Sequence, residues 1–344
     1  MSSIESTPAK PRSKAVYWLA ASLLAGVLLY YSLRGIQWAQ VWQILIRANL
    51  LYVGMACALL TIALFLRAVR WRVLLRAAAP VDVRSAFWAT AAGYFGNNFL
   101  PARAGELVRT MMVSTRWGIS KTFVLTTALS ERICDAIVLI VITSVVLMIL
   151  PQRPGWIEHA KIPFAIAGFG GVMCIALLPP LEKLWHAILA KLPVPQGLRE
   201  KVRGVLEHIL LGIRTFHDAR RLAAFIAFTG VIWCCDATGT VLGMRSLGLS
   251  ISFPVAFLLI TGLGLGSALP STPGYVGIYQ FVAVSVLTPF GFSKVNAIAY
   301  ILLAQAVQYT ILTFWGLLAL TRQRGSKLKP ETQSDLKPQV LGRP

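Results

Sequence analysis

Four stretches of this chain, residues 15 to 33, 50 to 66, 162 to 178 and 295 to 321, run for 17 residues or more without Asp, Glu, Lys or Arg. A helix rises about 1.5 Å per residue, so each run suits the hydrocarbon core of a bilayer, about 30 Å thick. The composition agrees: 56% of residues are hydrophobic and 13% charged, with a mean hydropathy of +0.68, whereas soluble domains carry about 25% charged residues. The expected fold class is an all-α integral membrane protein, a polytopic helical bundle and not a β-barrel.

Several function classes fall away. The net charge of +20 comes from basic residues flanking the hydrophobic segments, where they set orientation and meet anionic headgroups, so it does not point to nucleic acid. The five cysteines (57, 134, 174, 234 and 235) lie in apolar segments without metal-ligand spacing, and the four histidines form no pair, so neither a metal nor a cofactor is expected. Lys10, Arg12 and Lys14 precede the first run as in a signal peptide. That run is long and no small-x-small site follows it closely, so it reads as a retained first helix.

Cytoplasmic loops are enriched in Lys and Arg. With the N-terminus inside, 26 of the 33 fall on the cytoplasmic side, 6 on the other, and Arg132 within a helix. This separation requires two hydrophobic regions to enter and leave by the same face: residues 85 to 117 from the cytoplasm and 253 to 290 from outside. Six crossings then remain, at 15 to 33, 50 to 66, 121 to 150, 162 to 178, 222 to 244 and 295 to 321, forming one membrane domain over 15 to 321. A cytoplasmic tail (1 to 14) precedes it and a basic cytoplasmic tail (322 to 344) follows. An eight-crossing arrangement, with each half of 253 to 290 spanning, fits the hydropathy too. Within residues 181 to 221, Leu198, Val202, Val205, Ile209 and Phe216 alternate with charges at helical spacing, the pattern of a helix lying on the headgroup surface.

The chain also resembles itself. "LPARAG" at 100 to 105 and "LPSTPG" at 269 to 274 share Leu-Pro-x3-Gly at an offset of 169, and "GISK" at 118 to 121 and "GFSK" at 291 to 294 follow at an offset of 173. The charge count puts Lys121 inside and Lys294 outside, so the two units have opposite orientation. Inverted repeats with broken helices are a recurrent transporter architecture, with substrate held near the midplane where the breaks meet.

Polar residues in these segments form the candidate site. Glu131, Arg132 and Asp135 begin ten residues beyond Lys121, about 15 Å into the membrane, and align with Ala304, Gln305 and Gln308 of the second unit. Charge at that depth costs at least about 2.5 kcal/mol per residue and faces a bundle interior or aqueous cavity. The three lie close enough to share a face and partly neutralise one another, and Asp236 is a candidate partner of Arg132. In the first hairpin Pro101 suits the first helical position, with Asn97 and Asn98 before it. Arg103, Glu106 and Arg109 follow at steps of three, a receptor for phosphate in which Glu106 orients the arginines. In the second, Thr272 is the expected N-cap and Pro273 the first helical residue. Gly274 and Gly277 form a small face, and Tyr279 and Gln280 add polar tips.

"NNFLPARAGELVR", "SERICD" and "LPSTPGYVGIYQ", in that order and spacing, resemble the lysylphosphatidylglycerol synthase transmembrane region, a family of flippase-like membrane proteins, over residues 15 to 321. The resemblance implies lipid translocation between leaflets: aminoacylated phosphatidylglycerol in the fused members, hopanoid or other lipids in some stand-alone ones. Two departures bear on mechanism. Tyr275 and Gln280 stand where the commoner late motif has a second glycine and a glutamate, removing a carboxylate from the second hairpin. Only about 23 residues follow the last crossing, so the aminoacyl-transferase domain of the fused proteins is not expected here.

The expected function is movement of an anionic or phosphate-bearing lipid between leaflets of the inner membrane, without catalysis, the partners being membrane lipids. One alternative is an accessory subunit of a separate lipid glycosyl- or aminoacyl-transferase. The other is an enzyme acting on a lipid phosphate, with Glu131 or Asp135 as general base.

Overall fold

The computed structural model describes residues 12–100, 104–150, 155–177, 200, 219–267 and 273–327, and all regular structure among them is helical. In chain order the helices are α1 (Arg12–Leu33), α2 (Trp38–Ile46), α3 (Leu50–Leu75), α4 (Val83–Phe99), α5 (Gly105–Trp117), α6 (Lys121–Ile149), α7 (Gly155–Leu177), α8 (Ala219–Ser246), α9 (Phe253–Gly266), α10 (Ile278–Leu287) and α11 (Lys294–Lys327). A 3-10 turn, Pro273–Tyr275, lies between α9 and α10.

Among the described residues, four helical stretches are long and apolar enough to cross a membrane: Leu50–Leu75, Lys121–Ile149, Arg220–Ser246 and Lys294–Arg322. Two shorter apolar stretches, Ser22–Leu33 and Ile162–Met173, lie within the runs read as the first and fourth crossings. Large apolar side chains such as Leu51, Ile166 and Phe169 remain on the outer surface of the bundle, the arrangement a hydrocarbon solvent favours. The surface helix expected within 181 to 221 falls almost wholly outside the described residues, as do most of both tails. A short helix that hydropathy did not suggest, α2, follows α1; it buries Val41 and exposes Trp38 and Trp42, aromatic residues suited to a membrane interface.

Local chemistry sets the helix boundaries. Asn49 starts α3 by accepting the Leu51 N–H at 3.0 Å, and Asp82 starts α4 by accepting the Ser85 N–H at 2.6 Å and its hydroxyl at 2.8 Å. Each long helix after a hairpin is preceded by a left-handed glycine: Gly118 (φ 63°) before α6 and Gly291 (φ 88°) before α11.

Two boundaries differ from expectation. α5 begins at Gly105, four residues beyond Pro101, so Pro101 is not its first helical residue. Pro273 opens only a 3-10 turn, and α10 begins at Ile278, because Gly274 (φ 76°), Tyr275 (φ 60°) and Gly277 (φ 90°) all sit where an α-helix cannot continue. A proline marks where a helix is allowed to begin, but positive φ at the residues after it postpones the start.

The largest departure is at the end of α3. The helix runs nine residues past Leu66 and carries Arg67 and Arg70 into the bundle, removing both from the basic loop to which the charge count assigned them. α3 makes its most extensive contact with α8. Around that pair, α4 packs on α3, α5 and α11, while α9 packs on α8, α10 and α6. The main apolar core joins α9, α10 and α11 to the ends of α6 and α8, and a second one gathers Trp71, Val81, Ala89, Val113 and Val124.

Candidate functional site

The two halves of the first hairpin approach so closely that no side chain fits between them. A Cβ on Gly105 would overlap the carbonyl oxygen of Gly93 and lie 2.5 Å from the Asn97 backbone nitrogen. This approach turns Glu106 and Arg109 of α5 toward α6, where Glu131 and Asp135, one turn apart, are both buried.

The cation between those two carboxylates is Arg70, a fully buried side chain from α3. Its guanidinium donates to Glu131 Oε1 at 2.8 and 3.2 Å, to Asp135 at 2.6 and 2.9 Å, and to the Thr229 hydroxyl at 3.0 Å. The other oxygen of Glu131 accepts from Arg109 at 3.0 Å. Arg109 also lies 2.6 Å from Glu106 and 4.6 Å over the Trp71 ring. Glu106 in turn accepts from Arg132 at 3.1 Å and from the Asn97 amide at 3.2 Å. Arg132 lies over Tyr94. Separately, Arg67 donates to Asp236 at 2.5 Å. Among the described residues, then, four arginines (67, 70, 109 and 132) meet four carboxylates (106, 131, 135 and 236), and the interior is formally neutral. Charge pairing is what makes such a cluster tolerable away from water, although Glu106 Oε2, Arg109 Nε and Nη2 and Asn97 Oδ1 make no hydrogen bond among the described residues.

This geometry corrects three expectations. Glu131, Arg132 and Asp135 do not neutralise one another: Arg70 holds the two acids, while Arg132 faces Glu106 across the helix. Asp236 pairs with Arg67, not with Arg132. Arg109 is buried and engaged by Glu106, Glu131 and Trp71, so in this conformation it braces α5 against α6 and presents no free guanidinium to a phosphate.

The second hairpin carries an uncharged counterpart. Gln280 starts α10 by accepting the Gly277 N–H at 2.8 Å, and its amide donates to Gln305 at 2.6 Å. Gln305 donates to the Gly274 carbonyl at 3.1 Å, and the Tyr309 hydroxyl donates to that carbonyl too. The N–H of Gly277, the residue that caps α10, is thereby satisfied within the protein. Gly277 lies against the backbone of α1 at Ala25, where a side chain would not fit. Arg132 and Gln305, 173 residues apart, therefore each tether the hairpin preceding their own helix, one through charge and the other through amides.

Between α3, α4, α8, α9, α10 and α11 lies a cavity of about 270 Å³. Its wall is mainly apolar, with Leu60, Leu64, Ile260 and Leu312 among the lining residues, and the polar side chains on it include Arg67, Asp236, Tyr94, Tyr279, Thr240 and Gln308. Of the candidate residues, Tyr279 and Gln308 line it. Asn97, Glu106, Arg109, Glu131, Arg132 and Asp135 form the charged network beside it, and Gly274, Gly277, Gln280 and Gln305 the neutral one. Asn98 is buried with its amide nitrogen unpartnered among the described residues. Arg103 and Thr272 lie outside the described residues. Arg67, Arg70, Trp71, Tyr94 and Thr229 went unnoticed in the sequence; the available signal was "RAVRW", two arginines at i, i+3 directly after an uncharged run.

The pattern of residues matches a known family: the model of the Lysylphosphatidylglycerol synthase TM region matches residues 18–316. A UPF0104 membrane protein of Pyrococcus horikoshii is similar to this chain, 25% identical over 309 residues that cover 82% of this chain and 90% of that protein. The glycosyltransferase AglD of Haloferax volcanii is 25% identical over 340 residues, 88% of this chain, and the match spans 54% of AglD's length. No solved structure matches.

Proposed function

The chain belongs to the lysylphosphatidylglycerol synthase TM region family, and from that premise we propose that it moves an anionic, phosphate-bearing lipid between the leaflets of the inner membrane, with both termini cytoplasmic. The observation that carries the reading is the central cavity, apolar over most of its wall and bearing one ion pair, Arg67 and Asp236. Its volume of about 270 Å³ falls just below the roughly 300–1,000 Å³ of sites for drug-sized ligands, so it suits a headgroup whose acyl chains stay in the bilayer. Arg67 replaces Arg109 as the first contact for phosphate, with Tyr94, Tyr279 and Gln308 beside it. Glu106, Arg109, Glu131, Arg132, Asp135 and Arg70 hold the walls together.

The inverted repeat is part of the proposal. In its support, the contacts of α4 with α3, α5 and α11 become those of α9 with α8, α10 and α6 when the two units are exchanged. The offset of 169 that relates LPARAG to LPSTPG also relates Arg67 to Asp236, so the ion pair joins equivalent positions of α3 and α8. A two-fold axis brings equivalent positions together, and an alternating-access mechanism rocks one unit against the other about a fixed site. The re-entrant hairpins are α4–α5 and α9–α10. No bond-making step is assigned to the chain.

The similarity to AglD favours a second reading, a membrane module that serves a separate lipid-modifying transferase. Purified protein in liposomes separates the two. With a panel of labelled lysyl, hopanoid and polyprenyl-phosphate lipids, transport predicts faster exchange between leaflets than in protein-free vesicles, and slowing by Arg67→Ala. Equal rates across the whole panel would reject transport and leave the accessory role.

A further inference from the structure

A second cavity, about 780 Å³, opens where the start of α4, the end of α5 and the last turns of α11 meet. Its described lining residues include three arginines, Arg84, Arg116 and Arg322, against one carboxylate, Asp82. That carboxylate is already engaged at the head of α4 by the N–H and hydroxyl of Ser85. None of the three arginines forms an ion pair among the described residues, in contrast to the four within the bundle. Arg322 lies 4.5 Å over the face of Trp88, which fixes a long side chain at the rim, and the buried Trp88 ring N–H has no hydrogen-bond partner there. Thr115 adds a hydroxyl.

We propose that this mouth of the first hairpin is a binding site for a phosphate-bearing anion, separate from the central cavity. Guanidinium groups pair bidentately with phosphate oxygens, and three of them around one committed carboxylate leave a net charge of +2 to be matched. The duplication sharpens the argument. In the second unit the positions equivalent to Arg84 and Arg116 are Phe253 and Pro289, so the symmetry of the fold does not account for the arginines. They occur only at the end of the bundle where basic residues gather, the place of anionic headgroups and of soluble cytoplasmic phosphates. The site does not rest on the transport reading, since an anchored lipid or a bound phosphate would occupy it whether or not any lipid crosses.

The test uses the full chain in phosphatidylcholine nanodiscs, with phosphatidylglycerol and inorganic phosphate as probes and bound ligands counted by native mass spectrometry. Wild type is expected to bind one of the two in preference to phosphatidylcholine, each of Arg84→Gln, Arg116→Gln and Arg322→Gln to weaken that binding by roughly tenfold, and the triple variant to lose it. Arg47→Gln, which removes the same charge elsewhere on the surface, is expected to leave it unchanged. Phosphatidylglycerol binding that millimolar phosphate does not displace assigns the site to a lipid headgroup; phosphate binding alone assigns it to a soluble ligand. Unchanged binding of both probes by a triple variant that elutes and melts like wild type overturns the proposal, as does restoration of binding by no Arg→Lys variant when Arg47→Gln also abolishes it. Leaflet exchange measured on the same preparations keeps a failure of this site distinct from a failure of transport.

Discussion

Arg70 is the most heavily engaged of the buried arginines, and replacing it with methionine isolates its charge from its bulk. The substitution leaves Glu131 Oε1 and both oxygens of Asp135 without their donors, one turn apart on α6 and away from water. Removing one partner of a buried ion pair costs about 3–5 kcal/mol. Two carboxylates lose their partner here, but Glu131 keeps Arg109 at 3.0 Å, so the estimate stays near about 5 kcal/mol instead of doubling. At about 1.4 kcal/mol per decade, that is between three and four orders of magnitude in the folding equilibrium. Heating detergent-solubilised protein and following the folded fraction by fluorescence-detected size exclusion measures the loss. The decisive comparison is the triple variant Arg70→Met, Glu131→Gln, Asp135→Asn: with the charges gone together, most of the stability is expected to return, because the penalty belongs to unpaired charge and not to the missing guanidinium. If Arg70→Met melts within the about 0.5 kcal/mol range of an ordinary surface substitution, or if the triple variant is no better than the single one, the network is not what joins α3 to α6.

Three other outcomes follow from the geometry. Gly105→Ala is expected to destabilise by more than about 3 kcal/mol, through overlap with Gly93 and Asn97, while Gly54→Ala, which meets nothing nearby, serves as a neutral control in the same melting assay. Burial pushes the Asp82 carboxyl up, but the bonds from Ser85 and the nearby charge of Arg116 outweigh it and hold the group below its ordinary value. Its contribution as a cap is therefore complete above the ordinary carboxylate range and is lost as pH falls through the lowered value; Asp82→Ala should cost about 1 kcal/mol at neutral pH, and the gap from wild type should close in acid. Single cysteines at positions 118 and 291, introduced into a chain whose five native cysteines are replaced, should be labelled from opposite faces of the membrane, and labelling from the same face would end the inverted-repeat reading.

The charge-free runs required helices, and the local chemistry of Asn49 and Asp82 was enough to begin α3 and α4. The helix breaks between α4 and α5 and between α9 and α10, and the glycines that precede α6 and α11, were legible in the same way, because breaks and left-handed turns are written in neighbouring residues. Glu131, Asp135 and Glu106 stood out because charge in an apolar helix is costly wherever it points. The pairing of Glu106 with Arg109 followed from their i, i+3 spacing, but the partners of Glu131 and Asp135 were not legible. Hydropathy ends a crossing at the first arginine, so Arg67 and Arg70 were counted as loop, although a helix continues through an arginine as readily as through a leucine when a carboxylate waits across the interface.

By itself, the sequence determined a helical membrane protein with buried charge on α6. Only the tertiary structure decided which cation serves which carboxylate, since Arg70 meets Asp135 across 65 residues and Arg67 meets Asp236 across 169. Those pairings depend on how α3, α6 and α8 cross, a property of packing between distant segments that no local pattern encodes. The same packing closes Arg109 away and leaves Arg67 at the cavity wall, which moves the proposed headgroup contact from α5 to the interface of α3 with α8.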